Sequence, residues 1–189
     1  MIVWLNGLFG VGKTTLAEKL RERKPDLLLF DPEEVGFLVR KLLPPAESWD
    51  YQDLPVWRGL TATALAEIRR HYSQDIIVPM TLVRPGYLNE LIGGLIRWGE
   101  DVLHVFLTVD ERVLRDRIER QTMSPERTRN EQIRAWRLAQ IDRCLSARDL
   151  MPDGTRFLDM GLHTPDVLTD TILEWLGALQ DRPSRHGGA

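Results

Sequence analysis

The sequence predicts an α/β fold in which a parallel sheet is covered on both faces by helices. Two observations carry this prediction: five short apolar runs that are close to continuous, and helix-period segments that return between them. A strand buried on both faces has no polar side to present, so it reads as an unbroken apolar run. A third observation, the glycine-rich segment directly after the first run, places a ligand site on that frame.

The strands expected are Ile2–Leu5, Leu27–Phe30, Ile76–Met80, Leu103–Val109 and Arg156–Asp159, each bounded by turn residues or followed by a helical pattern. Periodicity places helices at Lys13–Arg23, Glu33–Leu43, Pro55–Tyr72, Tyr87–Trp98, Glu111–Gln121, Asn130–Ser146 and Pro165–Leu179. Asp110 and Thr164 stand where N-caps belong, the second followed by Pro165 at the first helical position. Pro44–Leu54 breaks the periodicity but carries Trp49 and Tyr51, so it reads as an ordered loop. Thr122–Arg129 is polar and basic and reads as mobile. No repeats are present. One domain over 1–181 is expected, followed by a disordered tail over 182–189 with nothing to bury.

The 189 residues suffice for a single core, and the 43% apolar and 28% charged shares are ordinary for a globular chain. A net charge of −3 offers no overall attraction to nucleic acid or to an anionic membrane, so a bound anion must be held by local basic residues. Cys144 is the single cysteine, which excludes an intrachain disulfide. The apolar start Met1–Leu5 lacks a basic flank and stops at Asn6, so it is not read as a signal peptide, and no run reaches membrane-spanning length. A cytoplasmic protein is expected. The helix Tyr87–Trp98 has an apolar side that a core contact explains, though peripheral membrane contact stays open.

Gly7-Leu8-Phe9-Gly10-Val11-Gly12-Lys13-Thr14 matches G-x-x-x-x-G-K-[ST] in full, with a strand before it and a helix after it. Glycines let the backbone curl so that successive N–H groups point at an anion, and the helix N-terminus adds positive potential. Lys13 is expected to reach the β- and γ-phosphates of ATP or a related triphosphate, and the Thr14 hydroxyl to meet Mg²⁺, with Thr15 beside it. The four histidines have no metal-ligand spacing.

With four more strands following the loop, the chain resembles the small P-loop kinases of nucleoside monophosphates, shikimate, gluconate and antibiotics. Closer blocks are Ile2-Val3-Trp4-Leu5-Asn6-Gly7, Asp31-Pro32-Glu33-Glu34-Val35-Gly36-Phe37, Leu54-Pro55-Val56-Trp57-Arg58, Val78-Pro79-Met80-Thr81 and Gln140-Ile141-Asp142-Arg143-Cys144. Together they resemble the ATP-binding tunicamycin-resistance proteins of bacteria, over roughly residues 1–145. The resemblance implies a doubly wound sheet of order 2-3-1-4-5 with a lid, and a role in resistance to a nucleoside antibiotic.

Such kinases place a carboxylate at the end of the second strand, where Asp31 stands. It would accept the acceptor hydroxyl's proton or orient a metal-bound water, with Glu33 as a second candidate; alternatively Asp31 only caps the following helix. The third strand ends in Val78-Pro79-Met80-Thr81, without the usual Walker B aspartate, so Thr14, phosphates, water and Asp31 are left to hold the metal. Arg117 and Arg120 share a face of one predicted helix, in a lid placed at about 120–135. They resemble lid arginines that stack on the base and neutralise the transferred phosphate, or else belong to a solvated face with Asp116 and Glu119. Arg127, Arg129, Arg134 and Arg137 follow. Gly161-Leu162-His163-Thr164 corresponds to the segment that wraps adenine in related kinases. Arg40, Trp49, Tyr51, Trp57 and Arg58 occupy the span that forms the acceptor pocket in this kinase class, where aromatics could stack on a base or cover an acyl chain, or else each belongs to the core. The partner expected is a small molecule, a tunicamycin-like nucleoside, and no nucleic acid. Two functions remain open: a phosphotransferase acting on a hydroxyl, and an ATP-gated protein that sequesters the antibiotic.

Overall fold

The computed structural model describes residues 1–44 and 50–181. Trp49 and the tail over 182–189 therefore lie outside the described residues. Five strands, β1 (Ile2–Gly7), β2 (Leu28–Leu29), β3 (Ile76–Pro79), β4 (Val102–Thr108) and β5 (Arg156–Asp159), pair in parallel in the order β2-β3-β1-β4-β5. Alternation along β1 shows why the runs are apolar throughout. Val3 and Leu5 enter a core with Leu16, Leu20 and Ile172 on one face, while Ile2 and Trp4 enter a second core with Trp57, Leu65 and Leu91 on the other.

The helices are α1 (Lys13–Arg23), α2 (Pro32–Leu42), α3 (Pro55–His71), α4 (Pro85–Arg97), α5 (Glu111–Arg120), α6 (Arg127–Ala139), α7 (Ile141–Ser146) and α8 (Pro165–Gln180). Asp110 and Thr164 cap α5 and α8 through their side chains, as the sequence predicted. Prolines at the first helical position start α2 and α4 earlier than periodicity alone indicated.

The predicted helix Asn130–Ser146 is two helices, and part of the segment expected to be mobile belongs to the first of them. The Gln140 N–H bonds to Arg137 O at 3.1 Å, a tighter i−3 turn that interrupts the α pattern. Beyond the break, Ile141 and Cys144 are buried in the core, whereas α6 has no buried residue. One continuous helix could not satisfy both demands. A 3₁₀ turn at Tyr51–Asp53, capped by Asp50, precedes α3.

Candidate functional site

The carboxyl ends of β1 and β3 and the start of α2 meet where the strand order reverses, the edge at which open α/β sheets bind ligands. The loop after β1 needs its glycines for stated reasons. Gly7 has φ 133°, and a Cβ there would stand 2.6 Å from the Leu107 carbonyl oxygen. Gly12, at φ 112°, is the N-cap of α1 and gives no side-chain cap. The first N–H groups of α1 are therefore not used by a capping side chain and remain free to meet an anion.

Lys13 Nζ donates to Gly7 O at 3.1 Å, Leu8 O at 2.8 Å and Thr81 Oγ1 at 2.8 Å. Desolvation by burial lowers its pKa to about 7. A cavity of about 340 Å³ opens on this loop, lined by Phe9, Gly10, Gly12, Lys13, Thr14, Thr15, Asp31, Glu33, Thr81, Gln121 and Arg137 among others. A second cavity, of about 450 Å³, is lined by Arg40, Asp50, Tyr51, Gln52, Arg129, Ile133 and Trp136, and again by Phe9, Glu33, Met80 and Arg137. Those last four residues wall both spaces.

Two of the four carry charge. Burial, then the neighbouring charge of Asp31, raises the Glu33 pKa, while Arg137, Lys13 and Arg40 oppose the shift. Burial lowers the Arg137 pKa, opposed by Glu33. Arg137 Nη1 donates to Gln121 Oε1 at 2.6 Å, and its guanidinium lies 5.7 Å from the Phe9 ring centre. The Phe9 ring meets Trp136 edge-on at 4.9 Å. These contacts fasten α6 over the loop.

The other residues singled out from sequence divide into three groups. Thr14, Thr15 and Asp31 line the loop cavity, while Leu8 and Val11 are buried beneath it. Asp31 also caps α2, accepting from the Glu33 N–H at 2.9 Å, so its two readings are compatible. Arg117 joins the loop to the segment after β5, donating to Val11 O at 3.1 Å and Met160 O at 3.4 Å. In that segment Asp159 Oδ1 accepts from Gly161 N at 2.7 Å.

Arg40 stacks 3.9 Å from the Tyr51 ring centre in the second cavity. Trp57 and Arg58 line neither of these two cavities. Trp57 is fully enclosed in the core and donates to Pro32 O at 2.8 Å. Arg58 is held by Glu90 at 2.6 Å and by the Gln52 carbonyl. Arg120 is likewise not brought in: it is 79% exposed and pairs with Asp116 at 2.7 Å. Two residues gain importance: Thr81, inside a block already noted, and Arg137, one arginine in a long series.

A loop of this form, at this place in a 2-3-1-4-5 sheet, defines a P-loop protein. The AAA domain family matches residues 3–137, and the chain belongs to that family. Among solved structures, the Deinococcus radiodurans tunicamycin resistance protein is 29% identical, with a TM-score of 0.69 over 93% of this chain and 95% of that one. The likeness to tunicamycin-resistance proteins thus extends over nearly the whole chain. A Janibacter sugar kinase (19% identity, TM-score 0.59, 93% and 94% coverage) and a Sinorhizobium meliloti gluconokinase (16%, 0.53, 95% and 97%) share the fold. No curated protein matches significantly.

Proposed function

We propose that the chain transfers a phosphoryl group from ATP to a hydroxyl of a small molecule, a nucleoside antibiotic of the tunicamycin kind. The observation that carries this reading is the common wall of the two cavities. A triphosphate in the loop cavity and an acceptor in the second cavity would meet at Glu33 and Arg137. The second cavity's aromatic and apolar walls, with Arg40 and Arg129, suit an acceptor that is part apolar and part polar. The name of the 29% identical neighbour supports the antibiotic.

In this reading the acceptor hydroxyl gives its proton to Glu33, which burial makes a stronger base than an exposed carboxylate. The oxygen then attacks the γ-phosphorus. The bond from that phosphorus to the β–γ bridging oxygen breaks, and ADP leaves with the electron pair. Arg137 offsets negative charge at the junction, and Lys13 engages the β- and γ-phosphates. Asp31 fixes the first turn of α2 and hence Glu33.

The Thr14 hydroxyl and Asp31 carboxylate both face the loop cavity and are oxygen donors of the kind Mg²⁺ takes. Bound there, Mg²⁺ neutralises charge on the phosphates. Among the described residues no group of three acidic, histidine or cysteine side chains could hold a metal. Phosphate oxygens and water would complete the set. No helix among the described residues is long and apolar enough to cross a membrane, which accords with action in the cytoplasm.

A second reading, an ATP-gated protein that only sequesters the antibiotic, rests on the end of β3. There Thr81 stands in place of a Walker B carboxylate. Incubation with Mg-ATP and tunicamycin separates the two. Phosphotransfer yields ADP and an antibiotic heavier by one phosphoryl group, whereas sequestration yields bound, unmodified antibiotic.

A further inference from the structure

Thr81 lies two residues beyond the end of β3, is 2% exposed, and lines the loop cavity. Its Oγ1 donates to Gly7 O at 2.8 Å and accepts from Lys13 Nζ at 2.8 Å. The hydroxyl has one proton, and that proton goes to Gly7. Its oxygen therefore meets Lys13 only as an acceptor, with the lone pair aimed at the ammonium.

Lys13 has three N–H bonds and three acceptors, and two of those acceptors are carbonyls of the loop itself. The third comes from the segment after β3. We propose that Thr81 is a positioning residue for Lys13, holding the ammonium over the loop cavity while a phosphate oxygen takes the place of one of the two loop carbonyls. This inference rests on the reading of Gly7–Thr14 as a triphosphate cradle.

The arrangement explains how a site without a carboxylate at the end of β3 still ties that strand to the phosphate-binding loop. Thr81 contacts the lysine directly and the first carbonyl of the loop at the same time. Valine has nearly the same shape as threonine but can neither accept from Lys13 nor donate to Gly7. Serine retains both bonds.

The test is titration calorimetry of ATP, and separately of inorganic tripolyphosphate, against wild type, Thr81→Val and Thr81→Ser. Loss of a hydrogen bond to a charged group predicts that Thr81→Val binds both ligands about tenfold more weakly. Thr81→Ser is expected to remain within about twofold of wild type, because both bonds persist. Equal binding by wild type and Thr81→Val overturns the inference. So does tighter binding by Thr81→Val, which would make Thr81 a competitor of phosphate, and so does a Thr81→Ser protein as impaired as Thr81→Val. Should Thr81→Val fail to fold, Thr81→Ala takes its place in the same comparison. A wild-type protein that binds neither ligand brings down the cradle reading itself and this inference with it, a result distinct from any difference among variants.

Discussion

Asn6 Nδ2 and His104 Nε2 stand 3.0 Å apart in the core, directly beneath the phosphate-binding loop. The amide also donates to Leu82 O at 2.6 Å, while Asn6 Oδ1 accepts from Gly7 N at 2.7 Å and Leu82 N at 2.8 Å. On its other side His104 Nδ1 faces Thr155 Oγ1 at 2.9 Å, and that hydroxyl gives its proton to Pro152 O at 2.7 Å. Thr155 must then accept, so the proton lies on Nδ1 and Nε2 accepts from Asn6. A neutral imidazole satisfies every bond. A second proton would place two donors face to face.

Burial accordingly lowers the His104 pKa from 6.5 to about 4. The folded form binds this proton less readily than the unfolded chain does. His104 therefore contributes full stability above pH 6.5 and loses it as pH falls towards 4, by on the order of 3 kcal/mol. Urea unfolding of wild type and His104→Gln across that window is the measurement. Carboxylates titrate in both proteins, so the difference between the two slopes isolates the imidazole. Parallel slopes would refute the assignment.

Lys13→Ala is expected to weaken ATP binding by roughly 1.5–3 kcal/mol, the worth of a hydrogen bond to a charged group, with the fold retained. Because its pKa is about 7 in the ligand-free protein, Lys13 loses its charge as pH rises above 7. Wild-type affinity for ATP should therefore decline relative to that of Lys13→Ala between pH 7 and 9. Calorimetry at several pH values gives both quantities. A constant ratio across that range argues against a titrating lysine.

The sheet and the phosphate loop were legible in the sequence because both leave local signals. Buried parallel strands force continuous apolar runs, and a curled anion-binding loop forces glycines at fixed spacing. Which arginine faces the site was not legible. Arg117, Arg120 and Arg137 are alike in composition, and only long-range contacts with Gln121 and Phe9 hold Arg137 against the cavities. The aromatic span was ambiguous in the same way: Trp57 reads in sequence as either pocket wall or core, and tertiary packing assigns it to the core.

Trp57→Ala should therefore destabilise the protein by about 3–5 kcal/mol, the usual result of emptying a large buried site. Thermal melting measures it. Trp57→Phe keeps most of the volume but leaves Pro32 O without its donor, so a smaller loss is expected, on the order of 1–3 kcal/mol. Loss of antibiotic binding in Trp57→Phe at unchanged stability would restore Trp57 to the acceptor site.

Arg137→Ala should lower turnover by about 10²–10³-fold, as removal of a group that stabilises transferred charge does. Arg120→Ala should remain within about twofold of wild type, because an exposed i,i+4 pair with Asp116 contributes little. The control is informative in either direction. A large defect in Arg120→Ala would mean that α5 swings into the site when ligands bind.

Glu33 and Asp31 decide between chemistry and sequestration. Both face the loop cavity, but only Glu33 also lines the second one, and Asp31 already spends an oxygen on the cap of α2. Glu33→Gln keeps size and polarity while removing the base, so phosphorylation should fall by about 10²–10⁴-fold with both ligands still bound. Asp31→Asn retains capping ability, and its main effect should be on the metal requirement, read as a raised Mg²⁺ demand for ATP binding. Antibiotic affinity by titration and survival of cells on tunicamycin are then measured for wild type and Glu33→Gln. Survival lost with affinity retained identifies catalysis as the source of protection. If survival follows affinity, no turnover existed to lose, and the cavities serve to hold the antibiotic in an ATP-closed form.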